Sequence, residues 1–214
     1  MPRTACLLLV AALAPSAAAA PPTVESLLPS VGQRGTAFTV VLAGARLTNP
    51  QELMIYGRGL TCTKLEADGE NAVRATLSAA ADCPLGEHAF RLRTSGGASE
   101  LRTVIVTPLK VIPETEPNDT DAKAQKIPLD CTISGVIDSG DADWFEVELK
   151  KGQRLSAEVE AVRLGGDELL DTVLAIHGPD GTPLAAADDT PLFHQDPFAS
   201  VLAPANGVYR VMVR

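Results

Sequence analysis

The sequence is poor in aromatic residues and in histidine, the residue types on which many catalytic and ligand-stacking sites depend. Its 214 residues include one Trp, two Tyr, five Phe and three His. None of the histidines lies in a nucleophile-elbow, zinc-protease or comparable motif, and the chain has no Walker loop and no Rossmann fingerprint. His88 and His177 fall on predicted strands, where a packed or surface histidine is more common than a catalytic one. His194, in a loop close to Asp196, is placed to assist a metal or a ligand.

Long apolar runs are absent beyond the N-terminus. Residues 1–20 combine Arg3, an apolar run from Ala5 to Ala14 and a small-residue end that fits Ala-x-Ala cleavage. This is the pattern of a Sec-type signal peptide, and its apolar run is too short to be a convincing membrane span. We therefore predict a secreted, extracytoplasmic protein without a membrane span.

Positive charge is scarce in the second half of the chain. Residues 21–112 hold nine Lys/Arg and eight Asp/Glu, whereas residues 113–214 hold eight Lys/Arg and nineteen Asp/Glu, a net charge of −11. An acidic region of this kind repels nucleic acid and anionic membrane surfaces. It suits cations or basic partners, and we predict no nucleic-acid partner.

Cysteine is also rare, and the exported part contains only Cys62, Cys83 and Cys131. A disulfide can form and persist outside the cytoplasm. We predict that Cys62 pairs with Cys83, since both lie in strand-like or turn-adjacent positions of the first half; the closed loop would contribute roughly 3 kcal/mol. Cys131 is then left over, and the three cysteines make no zinc site without a suitably spaced histidine.

Glycine and proline, in contrast, are plentiful, with 17 Gly and 16 Pro, and they punctuate the chain at short intervals. This punctuation favours many short strands, so we predict an all-β protein, and its length suits two domains. A Pro-rich linker separates them at residues 109–115, and residues 119–126 predict one or two helical turns. The predicted strands are Val24–Leu28, Ala37–Leu42, Glu52–Tyr56, Leu60–Glu66, Ala72–Leu77, His88–Arg93 and Leu101–Val106, then Thr132–Ile137, Trp144–Leu149, Arg154–Val162, Thr172–His177, Pro183–Ala186, Ala199–Ala203 and Val208–Val213.

Acidic residues gather at both ends of a short segment between residues 114 and 145. The entry carries Glu114, Glu116, Asn118 and Asp119, and the exit carries Asp138, Asp141 and Asp143, just before Trp144 and Phe145. Carboxylate and amide oxygens are the ligands of calcium, and clustered like charges are destabilising until a cation or water neutralises them. The alternative is that these residues make solvated turns, as such residues commonly do.

The first half resembles the IPT/TIG-type immunoglobulin-like repeat. The resemblance is carried by V-x-S-L-L-P-x-x-G-x-R-G at Val24–Gly35, V-x-L-x-G at Val40–Gly44 and P-L-G-E-H-A-F-R-L-R-T at Pro84–Thr94. It implies an immunoglobulin-like β-sandwich over residues 21–108 that acts as a spacer or a protein-binding element.

The second half, residues 116–214, resembles the bacterial pre-peptidase C-terminal (PPC) domain. The motifs run in order along the chain: E-P-N-D-T at Glu116–Thr120, G-x-I at Gly135–Ile137, G-D-A-D-W-F at Gly140–Phe145, K-K-G-Q-R-L at Lys150–Leu155, L-D-T-V-L-A-I at Leu170–Ile176, P-D-G-T-P-L-A at Pro179–Ala185, Asp188-Asp189 and G-V-Y-R-V at Gly207–Val211.

The PPC resemblance implies a jelly-roll-like sandwich that is not itself catalytic, and a closing strand beyond the given residues. Its relatives in clostridial collagenases hold calcium through an acidic entry segment and an aspartate loop. Carried onto this sequence, the implied calcium ligands are Glu114, Glu116, Asn118 and Asp119 from the entry, with Asp141 and Asp143 from the loop.

Two hypotheses about function follow. The first is a non-catalytic, secreted accessory module that binds an extracellular protein or polysaccharide, with calcium stiffening its entry. The second is a piece of a secreted peptidase or other hydrolase whose catalytic domain lies outside these residues. An aromatic sugar platform is not evident, because Trp144 on its strand is expected in the core. Asp188 and Asp189 are expected in a turn rather than as catalytic groups.

Overall fold

The computed structural model describes residues 20–138, 140–161, 171–191 and 195–214. Residues 1–19 of the predicted signal peptide and His194 therefore lie outside the described residues. No helix within the described part of the chain is long and apolar enough to span a membrane.

The first half of the described chain consists of nine strands. Their alternating buried and exposed residues follow from the period of two in a strand with one face on a core. The strands are β1 Thr23–Leu28, β2 Val31–Gln33, β3 Ala37–Ala45, β4 Pro50–Ile55, β5 Leu60–Ala67, β6 Ala72–Ala79, β7 Gly86–Thr94, β8 Gly97–Ala98 and β9 Arg102–Thr107.

These strands form two sheets that enclose one apolar core. One sheet has the order β1-β3-β6-β5, and the other has the order β2-β9-β7-β4, with β8 paired to β7. The core takes Val40 and Leu42 from the first sheet and Phe90 and Leu92 from the second. Burial of such side chains contributes about 1.5–3 kcal/mol each, so this shared core holds the sandwich together.

The described residues of the second half form nine further strands and one short 3₁₀ helix. They are β10 Lys110–Pro113, the 3₁₀ helix Asp121–Lys123, β11 Gln125–Lys126, β12 Cys131–Ser134, β13 Asp143–Leu149, β14 Arg154–Glu158, β15 Leu174–His177, β16 Pro183–Ala187, β17 Phe198–Leu202 and β18 Gly207–Val213.

The principal sheet of this half has the order β11-β13-β18-β15-β16, which places β18 between β13 and β15. Two smaller sheets pair β14 with β17 and, in parallel, β10 with β12. A second core contains Phe145 and Tyr209 from the principal sheet, Leu155 and Ala199 from the β14–β17 sheet, and packs against Ile133 of β12. No strand pairing among the described residues joins β1–β9 to β10–β18.

The predicted all-β, β-sandwich fold class is confirmed, and most strand positions agree with the sequence to within a few residues. Two local expectations were wrong. The segment expected as a plain linker contains β10, which is hydrogen-bonded to β12. The helical turns expected over residues 119–126 shrink to Asp121–Lys123, because Gln125 and Lys126 join β13 as strand β11.

The predicted disulfide does not form in this structure, where Cys62, Cys83 and Cys131 are free thiols. The thiol of Cys62 donates to the carbonyl oxygen of Lys64 at 3.2 Å, on its own strand. The thiol of Cys83 is buried elsewhere, 3.6 Å from Nε2 of His88. The two sulfur atoms thus have separate surroundings, and burial raises the pKa of both thiols.

Candidate metal centre

Strand β10 delivers the first carboxylate of the acidic cluster. The β10–β12 ladder pairs Pro113 with Ser134, and the backbone N–H of Glu114 extends it by donating to the Ser134 carbonyl at 3.0 Å. The Glu114 side chain then lies over Gly135, and its Oε2 accepts the N–H of Val136 at 3.0 Å. A Cβ on Gly135 would overlap this carboxylate, so the glycine provides the space that Glu114 occupies.

Asn118 joins the entry segment to β13. Its Nδ2 donates to Oε1 of Glu114 at 3.1 Å, and its backbone N–H donates to Oε2 of Glu116 at 3.0 Å. Its carbonyl accepts the N–H of Trp144 at 3.0 Å. Asn118 is fully buried, with 0% of its surface exposed, so these contacts fix the backbone of the entry segment beside the start of β13.

Asp143 is the first residue of β13 and completes the cluster. One carboxylate oxygen from each of Glu114, Glu116 and Asp143 lies within 4.8 Å of the others. Asp143 is 5% exposed, whereas Glu114 is half-buried and Glu116 is exposed. The cluster therefore has a buried floor and an open side.

The electrostatics of the cluster are unfavourable for a bare carboxylate. Burial, together with the charges of Glu114, Asp141 and Glu116 and a hydrogen bond with Glu114, raises the pKa of Asp143 to about 7. Among the described residues, no ion pair involves any of the three clustered carboxylates. Asp143 thus lacks the counter-charge that a buried carboxylate normally has.

Two oxygen atoms in the cluster have no partner in the described structure. They are Oδ1 of Asn118 and Oδ1 of Asp143, and both are inaccessible to solvent. An unsatisfied buried polar atom costs about 1–3 kcal/mol, so native structures seldom keep one without a reason. Neutral and anionic oxygens collected in one place are the ligands that a hard divalent cation requires, and the residues present fit such an ion.

The remaining residues of the predicted ligand set lie outside this group. Asp141 accepts the N–H of Ala142 on Oδ1 at 2.8 Å, and it acts on Asp143 through its charge. Asp138 contributes its carbonyl oxygen to a turn that accepts the N–H of Asp141. Asp119 is directed to Lys123, with 3.4 Å between the charged atoms, and both side chains are about half exposed. The structure therefore groups Glu114, Glu116, Asn118 and Asp143, and does not bring Asp119 to them.

A second group of carboxylates, Asp171, Asp188 and Asp189, also has oxygens within 4.8 Å of one another. All three residues are exposed. Exposed carboxylates are solvated without an ion, so this group lacks the feature that distinguishes the first cluster.

The described histidines have packing roles. His88 is buried, and its Nε2 lies 2.8 Å from the carbonyl oxygen of Pro84. The ring of His177 lies against the indole of Trp144, with 5.1 Å between the ring centres and 33° between the planes.

Trp144 does not lie in the core, which corrects the expectation from the sequence. It alternates with the core residues of β13 and is only partly buried, on the opposite face of the sheet. The sequence predicts this placement, because side chains alternate between the two faces of a strand. Trp144 shares one face with Glu146 and Glu148, whereas Phe145, Val147 and Leu149 share the opposite face.

Comparison with known proteins identifies no family for the chain. No protein-family profile matches it, and no curated protein sequence matches it. Among solved structures, it is similar to SGBP-B of the mixed-linkage glucan utilization locus of Bacteroides ovatus, in complex with a mixed-linkage heptasaccharide, at 13% identity and a TM-score of 0.32, covering 90% of this chain and 74% of that one.

Two further solved structures show similar values. SGBP-B from a complex xyloglucan utilization locus of Bacteroides uniformis has 12% identity and a TM-score of 0.34, covering 91% of this chain and 67% of that one. The adhesin InvE of Yersinia pseudotuberculosis has 14% identity and a TM-score of 0.31, covering 90% of this chain and 50% of that one.

Proposed function

We propose that Glu114, Glu116, Asn118 and Asp143 hold a calcium ion, and that the chain is a non-catalytic, secreted binding module whose entry segment this ion stabilises. The observation that carries the proposal is the pair of unpartnered buried oxygens, Oδ1 of Asn118 and Oδ1 of Asp143, beside the clustered carboxylates. The motif order that resembles a PPC domain supports the same assignment.

Calcium suits this set of ligands better than other common metals do. The cluster offers oxygen atoms only, whereas zinc sites in proteins are built mainly from cysteine and histidine. Magnesium requires near-ideal octahedral geometry, and calcium accepts six to eight oxygens in flexible arrangements. Carboxylates and one amide, completed by solvent from the open side of the cluster, would meet that requirement.

A bound cation would supply the missing counter-charge. It favours the ionised form of Asp143 and removes the repulsion among the carboxylates. Because Glu114 and Glu116 belong to the entry segment and Asp143 begins β13, the ion would tie this segment to the principal sheet. Stability then rises by mass action with the calcium concentration, and a secreted module with an affinity of about 10⁻⁴–10⁻³ M would be occupied outside the cell.

The binding role is proposed for an extracellular polymer or protein. A β-sandwich with a metal-stabilised entry offers a rigid surface. His177 packs against Trp144, and the pair formed by His88 and Cys83, with 3.6 Å between Nε2 and Sγ, is buried and therefore closed to a substrate. The proposed activity is therefore recognition and positioning, with no reaction of its own.

The proposal is tested by thermal unfolding of the mature chain in EDTA and in millimolar calcium. We expect calcium to raise the unfolding midpoint by about 5 °C or more at saturation. The double variant Asp141→Ala, Asp143→Ala should lose this response. As a matched control, Asp171→Asn, Asp188→Asn in the exposed carboxylate group should keep it. Equal midpoints in EDTA and calcium for the unaltered chain would contradict the calcium site.

A further inference from the structure

The principal sheet of the second half has one face that takes no part in the core. We call this the outer face, and on the three central strands it consists of Trp144, Glu146 and Glu148 of β13, Val208, Arg210 and Met212 of β18, and Ala175 and His177 of β15. Their neighbours along each strand, among them Phe145, Tyr209 and Ile176, form the core on the other side. None of the outer-face residues belongs to that core.

The strand register places complementary side chains side by side on this face. Trp144 lies opposite Met212, and Met212 lies opposite Ala175, which forms an apolar row. In the next row, Lys126 of β11, Glu146, Arg210 and His177 follow one another across four strands. Side chains directly opposite on adjacent strands have Cβ atoms about 4.5–5.5 Å apart, so the two rows form one continuous surface.

Trp144 is held in place on this surface. Its ring rests against the ring of His177, and its backbone N–H is bound by Asn118. The small residue Ala175 lies two strands away in the same row and is buried. The outcome is a fixed, partly exposed flat ring, the chain's single tryptophan.

The polar groups beside the indole are not engaged with one another. No hydrogen bond or ion pair among the described residues uses the side chain of Glu146 or Arg210, and Nε of Arg210 and Nδ1 of His177 have no partner. Both Glu146 and Arg210 are partly exposed. Nε of Arg210 and Nδ1 of His177 are inaccessible to solvent, so the polar groups that the face offers to a ligand are the exposed parts of the Glu146 and Arg210 side chains.

Charge on the outer face distinguishes between classes of partner. Lys126 and Arg210 balance Glu146 and Glu148, so the face is neutral within a half that carries a net charge of −11. A basic protein would find more counter-charge elsewhere on this half, and a polyanion would be repelled by it. A neutral partner rich in hydroxyl groups matches the face, since each hydroxyl can both donate and accept.

We propose that the outer face binds a neutral polysaccharide. The apolar C–H side of a sugar ring stacks on Trp144, and the hydroxyl groups at its edge bond to Glu146 and Arg210. This inference rests on the proposed function as a binding module and names its partner class, but it does not require the calcium site.

The test uses native gel electrophoresis through gels that contain a soluble neutral β-glucan, a galactomannan or a soluble α-glucan, with tryptophan emission recorded in solution with each polymer. We expect at least one polymer to retard the protein and to shift the emission of Trp144. Trp144→Ala should weaken retention by about tenfold or more, the size expected for losing an aromatic contact. Arg210→Ala and Glu146→Gln should weaken it by smaller factors.

Controls keep this result separate from misfolding and from the calcium proposal. Tyr56→Ala removes an exposed aromatic ring from the first half and should leave retention unchanged. Trp144→Phe should keep partial retention, and each variant should unfold at a midpoint close to that of the unaltered chain. If a polymer still retards the protein in EDTA and calcium leaves the unfolding midpoint unchanged, only the calcium proposal is contradicted.

Three results would contradict the binding of a neutral polysaccharide to the outer face. It is overturned if none of the neutral polymers retards the protein, or if retention survives Trp144→Ala. It is also overturned if only polygalacturonate or a basic protein such as lysozyme binds. If no polymer retards the protein but calcium still raises its unfolding midpoint, only the outer-face proposal is contradicted.

Discussion

The two halves of this chain treat their buried polar groups differently. In the first half, the buried polar residues bond internally: His88 contacts the Pro84 carbonyl, Ser99 accepts the N–H of Leu92, and Arg102 donates to the carbonyl of Val24. In the second half, Asn118, Ser134, Asp143, Thr172, His177 and Arg210 each have a buried atom without a partner in the described structure.

The difference shows where each half depends on something beyond its own chain. A polar group that is satisfied internally contributes to one fixed fold, whereas an unsatisfied one is a cost that a ligand can remove. Two of the unpartnered atoms belong to the metal cluster, and two more, on His177 and Arg210, lie under the outer face. The first half is therefore expected to behave as a self-sufficient sandwich, and the second as a ligand-dependent one.

The largest effect is expected in the self-sufficient half. Leu92 is fully buried in the first core, and Leu92→Ala should lower the free energy of unfolding by about 2–5 kcal/mol. The loss should be the same in EDTA and in calcium, because no residue of the metal cluster belongs to this half. Chemical denaturation under both conditions measures this loss. A loss that depended on calcium would contradict the expectation that the first half is stable without a ligand.

The next effect concerns the pH dependence of the metal-free protein. Asp143 has a folded-state pKa of about 7, above its ordinary value of 3.8, so the folded chain binds this proton more tightly than the unfolded chain. Stability in EDTA should therefore fall as the pH rises from about 4 to about 7, by a few kcal/mol, and then level off. Asp143→Asn should flatten this decline.

The affinity for calcium should instead rise with pH over the same range. The ion binds the ionised carboxylate, so its apparent affinity should increase by up to about tenfold per pH unit below pH 7. Titrations at several pH values measure this slope. An affinity independent of pH would mean that Asp143 is not a ligand.

A smaller effect is expected from adding one methyl group at Gly135. A Cβ there would overlap the carboxylate of Glu114, so Gly135→Ala should displace this ligand and weaken calcium binding by about tenfold. The neighbouring Val136→Ala is the matched control, since its side chain is exposed and its backbone N–H still donates to Glu114. Equal calcium affinities for both variants would exclude Glu114 from the site.

The smallest effect is expected at Asp119. This residue forms only an exposed pair with Lys123, so Asp119→Ala should change stability by no more than about 0.5 kcal/mol. It should leave the calcium response of the unfolding midpoint unaltered. A lost calcium response would restore Asp119 to the ligand set that the PPC resemblance implied.

Much of the fold could be predicted because strand alternation is a local signal. Strand β13 was expected over Trp144–Leu149 and runs over Asp143–Leu149. Strand β10 was missed because a Pro-rich segment resembles a linker, and its partner β12 lies about twenty residues away along the chain. A parallel pairing over that separation leaves no local trace in the sequence.

The candidate site was only partly predictable for the same reason. The resemblance pointed to six residues, and the contact of Glu114 with Gly135 depends on the β10–β12 register, which sets which ligands converge. Asp119 was included because the PPC resemblance implied it, but its side chain is directed to Lys123. The outer-face position of Trp144 follows from strand alternation alone, because Trp144 lies on the same face as Glu146 and Glu148.

The most direct test of the metal-dependent second half is isothermal titration of the mature chain with calcium at pH 8. We predict saturable binding with a dissociation constant of about 10⁻⁴–10⁻³ M or tighter, the range of extracellular calcium modules. Binding should be lost in Asp143→Asn and retained in Asp171→Asn. The absence of saturable heat, or equal binding by Asp143→Asn, would contradict the assignment of calcium to the cluster of Glu114, Glu116, Asn118 and Asp143.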